Sequence, residues 1–495
     1  MEDGAPRREF ERRTVLLATA GAALGLGAMP WLAACSDSSD PSSAAPPLGP
    51  VKDDEMMEWI AEIVEQGVRR PAYPADRWIE GWARDQFERA GLEDVRFEDV
   101  ELLTWEPGPG ELVLEPEGHR FTGFPMPYTT AGSVDGELVT LADDDAAGSL
   151  AGRIAFSEFT PITLPQTLTR SWAASVHDPD NEFDTLEQTL PFDARFNGVL
   201  DPVLETGAAA YVGLLTGFPW ETRDYYVPYD AKERAITALW LSGNDGRAVL
   251  DLVAQGATRG RVVVEGESRR ATSRNVIGTL PGASDDWVII ASHHDGPWAS
   301  AVEDASGVSL VLAQARHWAS VDERDRPHNL LFLLTAGHMA DGAGTRAFVE
   351  ENPDLLERVV LEIHLEHVAR ECVGQDGELV PTEQPEIRWW FTSPNPTLQQ
   401  SVQTAIAGED LRRSLVLPPD VFFENPPTDG AAFHAAGVPV VHFLTAPMYL
   451  FDSRDTIDKI HEPSLEPLTR AVIEIVEATR GEAPGAMRRM AAAPD

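Results

Sequence analysis

Cysteine is almost absent from this chain of 495 residues. Only Cys35 and Cys372 occur, which excludes a disulfide framework and zinc sites of the ribbon or finger type, since both need several thiols. Positive charge is also scarce, with 39 basic residues against 81 acidic ones and a net charge of −42. A chain this acidic repels phosphate groups, which argues against nucleic acid as a partner.

Long apolar runs are missing after the first 34 residues, so nothing later in the sequence predicts a membrane span. Residues 7–13 read Arg-Arg-Glu-Phe-Glu-Arg-Arg, and an apolar run ending in Leu-Ala-Ala-Cys35 follows. This pattern is typical of a twin-arginine export signal with a lipobox over residues 1–34, cleaved before a lipidated Cys35. The alternative is a short transmembrane anchor. Residues 35–52 are polar and predict a flexible tether.

The remaining sequence predicts two kinds of region. Apolar spacing indicates helices over 53–67 and 76–91, followed by short strands over 94–115. Short β-like runs between frequent Gly and Pro then predict a mainly β domain inserted in the chain, with runs at 137–141, 153–156, 209–214 and 261–265. The predicted catalytic-type α/β domain has two parts, residues 53–110 and 271–485. Residues 111–270 form the predicted inserted domain, and residues 486–495 are predicted to be a disordered tail.

After residue 274 strands and helices alternate. The pattern predicts an α/β fold with a mostly parallel sheet sandwiched by helices. The predicted strands are 287–291, 329–335, 360–365 and 438–444. The predicted helical segments are 307–318, 345–359, 396–407 and 467–480.

Polar residues recur where these strands end. Ten of the twelve histidines follow residue 290, and ligands of open α/β sheets bind beyond the carboxyl ends of the strands. A single histidine there is usually a hydrogen-bonded structural residue, but recurrence at successive strand ends favours a zinc-like metal site. The residues concerned are His293, His294, Asp295, Glu303, Asp304, His338, His364, Glu366, His367, Asp429, His442, Asp452 and Asp455.

The same segments resemble zinc exopeptidases of the bacterial aminopeptidase and glutamate-carboxypeptidase-like type, which carry an inserted protease-associated domain. The matching stretches are 275–282, His-His-Asp at 293–295, Glu-Asp-Ala-Ser-Gly-Val at 303–308, 337–348, His-Leu-Glu-His at 364–367, Asp429 with 437–439, and Asp-Thr-Ile-Asp at 455–458. Residues 207–211 and 236–246 resemble the protease-associated domain.

The resemblance implies which residues hold zinc. Family members bind two ions, and His293, Glu303 and Glu366 stand where the ligands of one ion are expected. The ligands of the second ion are replaced by Met339 and Phe451, which predicts one zinc ion, with two not excluded. His367 is expected as a replacement ligand. Further candidates are His294, His442 and Asp452.

Catalysis is expected to involve His338 and Asp295. His338 stands where the family has its general base, and a neutral imidazole can take a proton near pH 7. His338 serving as a metal ligand is the alternative. Asp295 is expected to orient His293 through its carboxylate.

The sequence therefore predicts an exported, surface-anchored metal-dependent hydrolase of amide bonds in peptide-like substrates. Two alternatives stay open, namely an inactive relative that binds a peptide or glycan, and an esterase or amidase for other substrates. A serine hydrolase is disfavoured, because the sequence contains no Gly-x-Ser-x-Gly motif.

Overall fold

A computed structural model describes residues 51–142, 145 and 147–488. The predicted signal peptide, the lipobox with Cys35 and most of the tether lie outside these residues. The described residues all belong to one compact unit. No helix in this part of the chain is long and apolar enough to cross a membrane.

Each predicted helical segment contains a helix, although the segment predicted at 345–359 is two helices that end at Leu356, before a strand begins at Val359. The helices of the described chain are α1 Asp53–Val64, α2 Pro74–Ala90, α3 Gln166–Trp172, α4 Asp201–Thr206, α5 Gly243–Ala254, α6 Ser306–Ala319, α7 Ala343–Glu351, α8 Pro353–Leu356, α9 Pro396–Gly408, α10 Ala431–Ala435, α11 Leu465–Glu477 and α12 Pro484–Met487. The disordered tail predicted from residue 486 is wrong at its start, because Asn395 Nδ2 donates to the carbonyls of Ala486 and Met487 and holds α12 in place.

Four strands lie where the alternating pattern predicts them, at 287–293, 329–335, 359–365 and 440–445. The strands of the described chain are β1 Glu93–Glu115, β2 His119–Pro125, β3 Gly132–Thr140, β4 Ile154–Glu158, β5 Thr163–Pro165, β6 Ser175–His177, β7 Glu187–Thr189, β8 Ala210–Leu214, β9 Thr237–Leu241, β10 Arg259–Leu280, β11 Trp287–His293, β12 Asn329–Thr335, β13 Val359–Leu365, β14 Arg370–Gln375, β15 Glu378–Pro385, β16 Arg388–Thr392, β17 Ser414–Leu417 and β18 Val440–Thr445.

One large sheet dominates the molecule. Fourteen of the described strands form it in the order β1-β2-β9-β8-β4-β3-β10-β12-β11-β13-β18-β16-β17-β6. Strands β12, β11, β13 and β18 are parallel to one another, so their carboxyl ends meet at one edge. The predicted mostly parallel sheet between helices is confirmed for the part of the sheet that contains these four strands.

The sheet core is buried on both faces. In β11, Val288 and Ile290 join an apolar cluster with side chains of α1, α2, α6 and α11, while Ile289 and Ala291 join a second cluster with Phe348 of α7. All four β11 residues are completely buried. Helices on both faces therefore fix the strands whose ends carry the candidate site.

The two long strands β1 and β10 differ from the short strands predicted there. They pair antiparallel from Glu93 with Thr279 to Glu115 with Arg259, with two register shifts, one between Glu93 and Arg96 and one between Pro107 and Gly110. Through them the sheet continues into β2, β3, β4, β8 and β9. Within the segment predicted as an inserted domain, β6 instead pairs with β17 at the far edge of the sheet. The boundaries 111–270 stay a prediction.

Candidate metal centre

Three neighbouring segments deliver the site. His293 is the last residue of β11, Glu366 and His367 follow β13, and Glu303 lies in the turn before α6. Because β11 and β13 are parallel neighbours, their ends bring these side chains to the same sheet edge. All four residues are buried, with at most 4% of the residue exposed. The four predicted metal ligands thus lie together.

Main-chain contacts fix the orientation of two imidazoles. His293 Nδ1 lies 3.0 Å from the carbonyl oxygen of Asp295, and His367 Nδ1 lies 2.8 Å from that of Thr445. A carbonyl only accepts, so each Nδ1 carries a proton, and Nε2 is the nitrogen that can give a lone pair to a metal once it is deprotonated. His293 Nε2 has no hydrogen-bond partner among the described residues, and His367 Nε2 has only a poorly aligned contact with Glu303 Oε2 at 2.6 Å. Such a nitrogen is suited to bind a metal.

The free atoms converge on Glu303. Its Oε1 lies 3.5 Å from His293 Nε2, and its Oε2 lies 2.6 Å from His367 Nε2, while Glu366 Oε2 lies 3.9 Å from His367 Nε2. Both Glu303 oxygens are buried without a well-aligned hydrogen bond in the described chain. Two imidazole nitrogens and two carboxylates suit zinc, so the residues present fit the ion that the sequence predicts.

The charge balance agrees with that fit. Burial lowers the pKa of His367, but the charge and contact of Glu303 outweigh it and raise the pKa to about 10. Burial and the neighbouring His338 lower the pKa of His293 well below its usual value, so His293 is neutral. The carboxylates thus attract one positive charge at His367, and a divalent cation can replace that proton.

His338 lies beside the four residues, in the turn after β12. Its ring stacks on His293 with 4.2 Å between centroids, and Nε2 lies 3.6 Å from Glu303 Oε1. Nδ1 lies 3.2 Å from Asp429 Oδ1. Burial lowers the pKa of His338, but the bond and charge of Asp429, with Glu303 and Glu366, raise it to about 10. A second ligand group of His293, Glu303 and His338 is also close enough for one ion.

Asp295 differs from its predicted role. Its carboxylate accepts the N–H groups of His338 at 2.9 Å and Met339 at 2.8 Å, and lies 3.8 Å from His293 Nδ1. The carbonyl of Asp295, not its carboxylate, orients His293. Two main-chain N–H groups in one turn attract a carboxylate more strongly than one already bonded ring nitrogen does. Asp295 therefore positions the turn that carries His338.

The structure does not bring the three remaining candidate ligands to the metal site. His294 lies between Asp76 and the Arg274 carbonyl, and although burial lowers its pKa, Asp76 raises it to about 9. Asp452 accepts from Trp220 and Thr222. His442 is engaged as described next.

Glu362 is a buried residue that sequence reasoning missed. Its carboxylate bridges two histidines, with Oε1 3.1 Å from His364 Nδ1 and Oε2 2.6 Å from His442 Nε2. His364 Nε2 in turn lies 3.3 Å from Glu366 Oε1. The signal was available, because a glutamate in the middle of an apolar strand needs buried partners. This group lies behind Glu366 and supports it.

The two residues at the expected second-ion positions are apolar here. Met339 is completely buried, and Phe451 packs against Tyr229 at 5.2 Å between ring centroids. Beside them a cavity of about 590 Å³ reaches His338 and Asp429. Its wall is mostly apolar, with charged side chains from α7 and the preceding turn, and includes Phe196, Tyr229, Asp341, Arg346, Val349, Glu350, Ala431 and Ala435. This cavity is large enough for a small organic substrate.

Comparison with known proteins gives a family for this region. Residues 275–476 match the model of peptidase family M28. Over 194 residues the chain is 26% identical to the BOS complex subunit ncln of Danio rerio, which covers 35% of this chain and 33% of that protein. The chain thus spans about a third of that curated relative.

Solved structures extend the similarity to the fold. The Bacillus subtilis zinc aminopeptidase BSAP aligns with a TM-score of 0.63 and 16% identity over 88% of this chain and 96% of that one. A peptidase M28 precursor from Shewanella amazonensis SB2B aligns with a TM-score of 0.62 and 18% identity, over 87% of this chain and 97% of that one. The aminopeptidase of Aneurinibacillus sp. strain AM-1 aligns with a TM-score of 0.60 and 18% identity, over 87% of this chain and 94% of that one. The chain therefore shares the fold of these three proteins.

Proposed function

The chain carries a peptidase family M28 domain, and from that premise we propose that it is a zinc-dependent hydrolase of amide bonds in small peptide-like substrates. The convergence of unsatisfied buried atoms on Glu303 is the observation that supports this most. Each such atom costs about 1–3 kcal/mol if nothing binds it. Zinc held by His293, Glu303, Glu366 and His367 removes that cost.

A zinc ion held by these four residues would supply Lewis acidity and make a nucleophile available at neutral pH. His338 then moves the proton. Asp429 holds the Nδ1–H of His338, so Nε2 faces Glu303 and the cavity with the lone pair that accepts a proton. A cation bound beside it would oppose the rise in the pKa of His338, because like charges repel, and would favour the neutral imidazole.

Elemental analysis of the purified full chain tests the zinc proposal, together with a screen of aminoacyl, dipeptide and ester substrates. We expect one zinc ion per chain and activity on an amide substrate. His177→Ala is the matched control, because His177 pairs with Asp410 away from the site and should keep both zinc and activity. A zinc-free, inactive wild-type chain contradicts the proposal.

A catalytically inactive binding protein is the second candidate. Met339 and Phe451, at the positions expected to bind a second ion, favour it. Binding of a peptide or glycan without turnover, by a chain that holds no metal, identifies this function. Turnover of an ester but not an amide identifies the esterase alternative.

We also propose that the protein is exported by the twin-arginine route and held at the outer face of the cell membrane by a lipid on Cys35. Cys35→Ala should move the protein from the membrane fraction to the soluble fraction, since the lipid is the proposed anchor. Cys372→Ala is the control and should stay with the membrane. A Cys35→Ala protein that remains in the membrane fraction supports a transmembrane anchor instead.

A further inference from the structure

The loop between the predicted ligands His293 and Glu303 is gripped by one buried arginine. Arg69 follows α1, far away in sequence, and is completely buried. Its guanidinium donates to four main-chain carbonyls of this loop. The acceptors are His294 at 3.2 Å, Ser300 at 2.8 Å, Glu303 at 3.3 Å, and Ala299.

The backbone of Arg69 adds two further bonds to the same loop. Its N–H donates to the Trp298 carbonyl at 2.8 Å, and its carbonyl accepts the Gly296 N–H at 3.0 Å. The loop is closed tightly around the guanidinium. A Cβ on Gly296 would lie 2.3 Å from the Glu303 carbonyl oxygen and 3.3 Å from an Arg69 nitrogen.

Asp455 holds the same loop by its N–H groups. Its carboxylate accepts from Val302 at 2.8 Å and from Glu303 at 2.9 Å. Arg69 therefore binds the carbonyls and Asp455 the amides of one segment, and both act on the backbone of Glu303. With its backbone fixed, the carboxylate of Glu303 stays between the two histidines even though its own oxygens are unsatisfied.

We propose that Arg69 is a positioning residue that holds the loop 294–303 in the conformation that binds metal. The guanidinium is suited to this, because its planar fork presents five N–H donors in fixed directions. A lysine ammonium has three donors on one atom and cannot reach four separated carbonyls. The expected effect of Arg69 on zinc affinity rests on the proposed zinc function, whereas its expected effect on the conformation of the loop does not.

The test compares Arg69→Met with Arg326→Met in the full chain. Arg326 is a matched control, since it is also buried and donates to two carbonyls, those of Trp318 and Pro281. It precedes β12 and so lies at the sheet edge opposite the site. Both substitutions should lower the melting temperature of the zinc-free protein. Hydrogen exchange of peptides covering 294–303 should become faster only in Arg69→Met.

Zinc affinity is the second measurement, made by competition with a chelator. Loss of an outer residue that orients ligands typically weakens metal binding about 10–100-fold, and we expect this for Arg69→Met and not for Arg326→Met. Arg69→Lys serves if Arg69→Met does not fold, and should weaken zinc binding in the same direction. Unchanged exchange in the loop overturns the inference, whatever the zinc content. If the wild-type chain binds no zinc but Arg69→Met still exchanges faster than wild type over 294–303, the zinc function is rejected and the positioning role of Arg69 is kept.

Discussion

Two sets of buried polar groups lie at the same sheet edge and differ in how the protein satisfies them. Asp295, Asp304 and Asp455 each accept at least two N–H or O–H groups. Glu303 and His293 are equally buried, yet Glu303 Oε1 and His293 Nε2 have no hydrogen-bond partner in the described part of the chain, and Glu303 Oε2 has only a poorly aligned contact with His367 Nε2 at 2.6 Å. Burial of charge alone therefore does not distinguish the candidate metal centre; what distinguishes it is that poorly satisfied atoms of three residues, His293, Glu303 and His367, meet at one place.

Of all the changes considered, removing a predicted metal ligand should have the largest effect on zinc binding and activity. His293→Ala should lose the zinc ion and all metal-dependent activity. It should also lose the stabilisation by bound zinc, about 4 kcal/mol when free zinc is 1,000 times its Kd. Elemental analysis and urea unfolding with and without zinc measure this. Retention of one ion per chain would instead point to a site without His293.

His338 should matter for the reaction more than for the metal. His338→Gln should lower kcat/KM by about 10²–10⁴-fold, the usual contribution of general acid–base catalysis, and keep the zinc. In the wild type, activity should rise with pH through the pKa of His338 and then level off. Asp429→Asn should move that rise to lower pH, because the Asp429 carboxylate raises the pKa of His338. Loss of zinc in His338→Gln would make His338 a ligand.

Among the aspartates whose hydrogen bonds are satisfied, a substitution should lower stability and leave zinc binding unchanged. Asp304 accepts from the Gly307 N–H at 3.0 Å, the His367 N–H at 3.1 Å and the Ser292 hydroxyl at 2.5 Å. Asp304→Ala should lower the free energy of unfolding by about 3 kcal/mol, because it leaves buried donors unpaired at about 1–3 kcal/mol each. Zinc stoichiometry should stay at one. Denaturant unfolding of the zinc-free protein and elemental analysis check both, and a loss of zinc at unchanged stability would contradict the comparison.

Asp452 should give the smallest effect, visible through pH. Burial raises the pKa of Asp452 to about 6 despite its bonds to Thr222 and Trp220. The unfolded pKa is about 3.9, so the folded state holds the proton more tightly and loses stability as pH rises from about 4 to about 6. The wild type should lose about 1–3 kcal/mol relative to Asp452→Asn over that range. Parallel unfolding free energies at pH 4, 5, 6 and 7 would contradict this.

Much of the fold was predictable from the sequence because burial on two faces leaves a simple pattern. The run Val359–Leu365 is apolar at nearly every position, as a central parallel strand requires, and the prediction of 360–365 is confirmed. The strands β16 and β17 were not predicted. Their runs are short and include Arg388 and Ser414, whose polar groups find partners only in the folded chain.

For the candidate site, the sequence by itself indicated the sheet edge and a set of candidate residues, of which the structure brings four ligands together and leaves His294, His442 and Asp452 apart. His293, Glu303, Glu366 and His367 follow strand ends or a helix start, and parallel topology places such positions at one edge. Only the tertiary structure decided their states. Whether an imidazole is free or an aspartate is satisfied depends on partners such as Thr445, Arg69 and Asp76, which are distant in sequence. Hydrogen-bond directions act over about 3 Å, so the folded arrangement alone fixes them.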